Sequence, residues 1–298
     1  MATRHASCTL TRVKLFLFGH SYTGQALMRR LAPEGWSFAV TARDPSQAEA
    51  LRAAGHEAVH PANRFKTADA LADADAILIS APPTAAGCPG LESMVPALAL
   101  AQAFPDWIGY LSTTGVYGDR GGRWVFEDSP LSAQSVEGAR RVGAERDWRQ
   151  VGRGMGLTVC AFRLPGIYGP GRSALDKLRE GVARRPVKPG QVFGRCHVDD
   201  IAAGLAASIA APRAGASYNL CDDEPAPSEE VTAYAAQLLG MEPPPAVPWD
   251  AEPLSAGAAR FWAENRRVSN ARAKAELGWT PRYPTYREGL EAILKAGG

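Results

Sequence analysis

The tightest constraint on the fold is the stretch Val13-Lys14-Leu15-Phe16-Leu17-Phe18-Gly19-His20-Ser21-Tyr22-Thr23-Gly24-Gln25-Ala26-Leu27-Met28-Arg29-Arg30-Leu31. An almost unbroken apolar run stops at a glycine, a short loop follows, and a second glycine opens a segment with apolar residues at helical spacing. This order predicts a strand, a tight turn and a helix. A helix that starts just beyond a strand presents unpaired backbone N–H groups and a partial positive charge, which suits a diphosphate. Gly19 permits a sharp turn and Gly24 permits close helix–strand packing, so the spacing matches G-x-G-x-x-G except that Ser21 stands at the middle glycine. Ser21 is small and can hydrogen-bond. The turn residues Gly19, Ser21, Tyr22, Thr23 and Gly24 are therefore candidates for dinucleotide binding, although a turn needing two glycines for backbone reasons alone reads the same way.

A chain of 298 residues is long enough for one large α/β domain with an appended lobe. Its formal charge of +2 gives no reason to expect a nucleic-acid or membrane partner. Cys8, Cys88, Cys160, Cys196 and Cys221 are odd in number and widely spaced, with no C-x-x-C pair. That pattern argues against a disulfide framework or a zinc site and favours a reducing cytoplasm. Residues 1–12 are polar and do not read as a signal peptide, and no apolar run approaches a membrane span.

Strands are expected at residues 36–41, 57–60, 74–80 and 107–111, with helices between them, which predicts a doubly wound parallel sheet covered on both faces. In such a sheet the end of the second strand faces the adenosine ribose, where Arg43 suits a 2′-phosphate and favours NADP over NAD. Asp44 can instead accept a ribose hydroxyl, and either residue can simply cap the helix that begins at Pro45. After the strand that ends near Ser80, Ala81-Pro82-Pro83 must leave the sheet. This puts Ser80, Ala81 and Pro82 at the carboxyl edge as further cofactor candidates, or in a rigid loop with no ligand.

Four later blocks occur in order: Ser112-Thr113-Thr114-Gly115-Val116-Tyr117-Gly118-Asp119, Phe162-Arg163-Leu164-Pro165-Gly166-Ile167-Tyr168-Gly169-Pro170-Gly171, His197-Val198-Asp199-Asp200-Ile201-Ala202 and Leu277-Gly278-Trp279-Thr280-Pro281-Arg282-Tyr283. Together with the glycine turn they resemble the extended short-chain dehydrogenase/reductase superfamily, the NAD-dependent epimerase/dehydratase group, over nearly the whole chain. The resemblance implies a Rossmann-like doubly wound parallel sheet with a smaller C-terminal substrate lobe. It divides the chain into an N-terminal extension (1–12), a dinucleotide-binding domain (13–163) and a substrate lobe (164–298), with segments around 192–222 returning to the first domain. It also implies that Thr113 orients a substrate oxygen, that Leu164, Pro165 and Tyr168 flank the nicotinamide, and that a homodimer can form through the helix over 132–153.

The family's Tyr-x-x-x-Lys is missing. If Glu145 takes the place of the glutamate one turn after the lysine, Arg141 falls at the lysine position and Glu137 at the tyrosine position, and this helix contains no tyrosine. Arg141 can still touch the ribose or diphosphate, and Glu137 is a weaker base than a phenolate. The two are also spaced to form an exposed i,i+4 pair worth ~0.3 kcal/mol. Tyr117, in the loop beside Thr113, is a substitute acid/base.

His197, Asp199 and Asp200 point different ways with no second cluster, so no metal is expected; Asp199 or Asp200 reads as a helix N-cap, with His197 edging the substrate cleft. Arg260, Trp262, Asn265, Arg266 and Arg267 lie in the lobe, where the arginine pair can bind an acidic substrate or form a solvated charge run. The expected function is an NADP-dependent oxidoreductase or epimerase acting on a small carbonyl or sugar-like compound, with NAD as the alternative cofactor. The competing reading is a non-catalytic dinucleotide sensor.

Overall fold

Strand β1, Lys14–Phe18, lies inside the sheet between β4 and β2 with every residue buried, because helices cover both of its faces. The computed structural model describes residues 13–251 and 256–297, with side chains at 256–258 and 260 excepted. The N-terminal extension expected over 1–12, the cysteine at position 8 and the side chain at position 260 lie outside the described residues. From β1 the chain continues through α1 (Tyr22–Leu31), β2 (Ser37–Thr41), α2 (Pro45–Ala53), β3 (Glu57–Val59), α3 (Arg64–Leu71), β4 (Ala76–Ile79), α4 (Pro89–Ala101) and β5 (Trp107–Thr113). Then come β6 (Trp124–Val125), α5 (Val136–Met155), β7 (Val159–Leu164), β8 (Gly166–Tyr168), α6 (Ala174–Arg179), β9 (Arg185–Val187), β10 (Arg195–His197), α7 (Val198–Ala210) and β11 (Ser217–Asn219). The last elements are α8 (Ser228–Leu238), β12 (Ala246–Pro248), α9 (Ala256–Ala263), β13 (Arg267–Val268), α10 (Ala271–Leu277) and α11 (Tyr286–Lys295).

Seven strands form one parallel sheet in the order β11-β7-β5-β4-β1-β2-β3, the α/β doubly wound arrangement that the alternating pattern predicts. Strand pleating sorts β1 between two layers. Leu15 and Leu17 join the core formed with α1, α2 and α7, whereas Phe16 and Phe18 join the core formed with α3, α4 and α5. Each of these fully buried side chains contributes about 1.5–3 kcal/mol. A third, smaller core packs α6, α8 and α11 around Tyr168 and Tyr286. The α5 helix starts at Val136, later than the 132 expected, because the Ser135 hydroxyl caps it by accepting the Gly138 N–H at 3.1 Å.

The polar blocks after β7 and β10 prove to be fasteners. His197 is the N-cap of α7, its Nδ1 accepting the Asp199 N–H at 3.2 Å, so neither Asp199 nor Asp200 takes that role. Asp200 instead accepts the backbone N–H groups of Arg282 at 2.6 Å and Tyr283 at 3.0 Å, while Trp279 Nε1 donates to the Asp200 carbonyl at 2.9 Å. The two blocks at 197–202 and 277–283 are thus held together by one buried carboxylate. His197 packs between the rings of Tyr168 and Tyr283, and burial lowers its pKa, so it stays neutral. It does not line the substrate cleft, and among the described residues no group of His, Cys, Asp and Glu is placed to hold a metal ion.

A buried charge pair ties α5 to β7. The Arg163 guanidinium donates to both carboxylate oxygens of Glu145, from Nε to Oε1 at 3.1 Å and from Nη2 to Oε2 at 2.8 Å. The Ser112 hydroxyl donates to Oε1 at 2.6 Å and Arg149 Nη2 to Oε2 at 3.1 Å, so the carboxylate is fully satisfied. Arg163 Nη1 also reaches the Tyr117 hydroxyl at 2.9 Å and the Glu127 carbonyl at 2.8 Å. Removing one member leaves the other charge uncompensated in the interior. Arg163→Leu is therefore expected to lower the unfolding free energy by ~3–5 kcal/mol in a urea titration, and a loss below about 1 kcal/mol would show that the network does not hold these elements together.

Candidate active site

Two cavities open at the carboxyl edge of the sheet. The first, about 720 Å³, is lined by Gly19 and His20 after β1, Arg43 and Asp44 after β2, and Ala81 and Pro82 after β4. Gly19 sits at φ +102°, and a Cβ there would lie 2.7 Å from Ser80 Oγ and 3.2 Å from the Ala81 backbone nitrogen. Only glycine lets the turn approach the end of β4 so closely. The Gly19 N–H donates to Thr41 Oγ1 at 2.8 Å and the Ser80 hydroxyl donates to the Gly19 carbonyl at 3.0 Å, so the turn is fastened to both neighbouring strands.

Ser21 is the N-cap of α1, and its hydroxyl accepts the Gly24 N–H at 3.0 Å. It therefore uses one donor that an anion at the helix N-terminus would otherwise receive. A Cβ on Gly24 would sit 3.0 Å from Leu17 Cδ2, which accounts for the glycine by helix–strand packing. Thr23 is buried in the same contact region, whereas Tyr22 leaves the turn and donates from its hydroxyl to the Pro170 carbonyl at 3.0 Å. At the end of β2 the alternatives separate. Asp44 caps α2, accepting the N–H groups of Ser46 and Gln47 and the Ser46 hydroxyl, and these bonds hold its carboxyl below the usual range. Arg43 is left exposed in the cleft, the cation a phosphate would need. The open cleft, the glycine cradle and Arg43 suit a phosphorylated dinucleotide.

The second cavity, about 280 Å³, lies where β5 ends. Thr113, Thr114, Gly115, Ser135 and Glu137 line one side, and Val192, Phe193, Phe261 and Arg266 lie on others. Thr113 Oγ1 accepts the Gly115 N–H at 3.1 Å, capping the 3-10 turn Thr114–Tyr117. That bond uses a lone pair and leaves the hydroxyl proton to be donated. A Cβ on Gly138 would stand 3.0 Å from the Gly115 carbonyl oxygen, so this glycine lets the start of α5 press against the turn. This packing brings Glu137, in the first turn of α5, into the cavity that contains Thr113.

The Tyr117 side chain is fully buried: its hydroxyl donates to Asn219 Oδ1 at 2.8 Å and accepts from Arg163, and burial pushes its pKa up to about 12. Adjacency to Thr113 in sequence does not become adjacency in the cavity, because the 3-10 turn swings this ring into the core. Arg141 does not line the cavity either; its guanidinium donates to the Leu111 carbonyl and lies over the Tyr110 ring. Leu164 is buried among the sheet residues and Tyr168 in the lobe core, where burial raises the tyrosine pKa, so neither side chain faces the second cavity. Pro165 precedes β8 and is half-buried, and Gly166 beside it lines the cavity.

The arginine pair is not a solvated run, since Arg266 donates to the Gly118 carbonyl at 2.9 Å and pairs with Glu264, and Arg267 donates to the Gly122 carbonyl. Sequence inspection missed Phe193 and Glu264, which lie outside the helices and strands, and Phe261, which stands in the short helix α9. For Tyr117→Phe we expect a stability loss of about 1–2 kcal/mol in chemical denaturation, because Asn219 Oδ1 and Arg163 each lose a buried partner. No change in stability would mean that the hydroxyl is free to act elsewhere.

No protein-family model matches the chain. It is 30% identical over 174 residues to a 3-diazoavenalumate denitrifying reductase from Streptomyces, covering 55% of this chain and 57% of that protein. Among solved structures, DesIV, a dTDP-glucose 4,6-dehydratase from Streptomyces venezuelae determined with NAD bound, superposes with a TM-score of 0.77 at 20% identity, covering 95% of this chain and 96% of that one. A conserved protein of unknown function from Silicibacter pomeroyi superposes with a TM-score of 0.87 at 47% identity, covering 95% of this chain and 99% of that one. The fold is therefore the Rossmann-like fold of the epimerase/dehydratase structures, and the chain belongs to the family of the Silicibacter pomeroyi protein.

Proposed function

We propose that the chain is a nicotinamide-dinucleotide-dependent oxidoreductase that prefers NADP and acts on a small carbonyl compound. One observation carries this reading: the cleft that holds Gly19, Arg43, Ala81 and Pro82 and the cavity that holds Thr113 and Glu137 lie at the carboxyl ends of neighbouring parallel strands. One extended ligand can reach both. The likeness to a reductase and to an NAD-bound dehydratase supports the same reading.

The Gly19–Gly24 turn and Arg43 would hold the phosphorylated half of the dinucleotide, with Ala81 and Pro82 beside it. The bound dinucleotide would supply or accept a hydride. Thr113 would donate its hydroxyl proton to the substrate oxygen and so fix the carbonyl carbon. Glu137, or a water held against it, would take up or deliver the exchanged proton, the task that Tyr117 is too deeply buried to perform. A non-catalytic dinucleotide sensor is the second reading, favoured by the absence of any tyrosine on α5.

Calorimetric titration with NADP⁺, NADPH, NAD⁺ and NADH, together with single-turnover hydride transfer, separates the two readings. Arg43→Ala is expected to weaken the phosphorylated forms by about tenfold or more and to leave NADH nearly unchanged. Thr113→Val and Glu137→Gln are each expected to lower turnover of any accepted carbonyl by about 10²-fold with cofactor affinity unchanged. Binding without turnover of any carbonyl would support the sensor, and no binding by any of the four would overturn both.

A further inference from the structure

We infer that the second cavity takes a small, neutral, planar aromatic aldehyde or ketone and not a nucleotide-linked sugar. This rests on the oxidoreductase reading for the reaction, and on the cavity alone for the ligand class. At about 280 Å³ the cavity is at the lower end of the range for small-molecule sites, too small to enclose a nucleoside diphosphate with its sugar.

The charges described around it disfavour a diphosphate as well. Among the described residues lining it the single cation is Arg266, already engaged by Glu264 and by the Gly118 carbonyl. The positive end of α5, capped by Ser135, carries Glu137 in its first turn, so that pole is answered too. Among the described residues, a doubly charged group placed here would meet the carboxylates of Glu137 and Glu264 and no uncommitted cation.

The apolar walls favour a flat ring. Phe193 and Phe261, from separate segments, stack with centroids 4.0 Å apart and planes 6° from parallel. Trp262 stands edge-on to Phe193 at 5.1 Å and 89°, and Lys188 Nζ donates to the Trp262 carbonyl at 2.6 Å, which holds the wall in place. Gly115, Gly166 and Gly194 also line the cavity. None of them has a left-handed φ, and a Cβ on each would meet its nearest neighbour no closer than 3.4 Å. Neither backbone conformation nor packing therefore requires glycine at these three positions. What the missing side chains preserve is a thin space beside Thr113, the shape of an aromatic ring carrying a carbonyl.

In the reaction, the carbonyl carbon would gain a hydride from the reduced nicotinamide dinucleotide, its π electrons would move to the oxygen, and a proton delivered by Glu137 or a water held against it, and replaced from solvent, would complete the alcohol. The aldehyde is reduced and the dinucleotide oxidised.

Two readouts test the inference on the full chain, with benzaldehyde, cyclohexanecarbaldehyde and UDP-glucose as probes. Saturation-transfer NMR on the cofactor-free protein is expected to detect benzaldehyde, with about tenfold weaker binding of cyclohexanecarbaldehyde and no UDP-glucose signal. NADPH oxidation is expected to follow the same order in kcat/KM. Phe261→Leu, at a half-exposed position where folding is safe, should bring the two aldehydes to parity, and Phe193→Leu should do the same. Equal binding of the two aldehydes, capture of UDP-glucose, or no benzaldehyde binding overturns the ligand class, whatever the cofactor does. Benzaldehyde binding with the Phe261 dependence but without oxidation of either NADPH or NADH upholds the ligand class and overturns the oxidoreductase reading.

Discussion

The bidentate pair between Arg163 and Glu145 is the interaction on which the site depends. It joins the last residues of β7 to the middle of α5 with both groups almost wholly buried, and Ser112 at the end of β5 donates into the same carboxylate. A buried ion pair contributes little net stability compared with apolar packing, but breaking one is costly, so it specifies geometry more than it adds energy. Here the geometry is the angle at which α5 meets the sheet. That angle carries Ser135 and Glu137 to the cavity at Thr113.

The same network explains why Tyr117 is not available for proton transfer. Its hydroxyl is shared between Arg163 and Asn219, and Asn219 in turn donates its backbone N–H to Glu127 Oε1 at 2.9 Å. Burial shifts the Glu127 carboxyl upward and the tyrosine stays neutral. These groups form a structural spine behind the cavity wall, and the polar groups facing the cavity include Thr113, Ser135 and Glu137. The cavity at the end of β5 is therefore lined by hydroxyls and carboxylates, with no phenol among its described lining residues.

Much of the fold was legible because it follows from local rules. The run from Lys14 to Phe18 could only be a doubly covered strand, and Gly19 and Gly24 stand where a close turn and a close helix crossing demand them. The cap at Asp44 was legible as one of two options, and only the bonds to Ser46 and Gln47 select it. Side-chain direction at Tyr117 was not legible, since a 3-10 turn and a strand leave adjacent residues facing different ways. The blocks at 197–202 and 277–283 carry ligand-like residues whose task, clamping one loop to a helix, depends on a contact between distant segments. Phe193 and Phe261 were invisible for the same reason: one lies outside any helix or strand and the other in the short α9, and their stacking is purely tertiary.

On the proposed function, one dinucleotide spans the carboxyl edge from the glycine turn to Thr113. Amide hydrogen exchange with and without saturating NADPH tests it most directly. Slowed exchange in three separate segments together, 19–25, 41–44 and 113–117, is the predicted result. Protection confined to the first two, or absent from all three, would contradict a ligand that reaches Thr113.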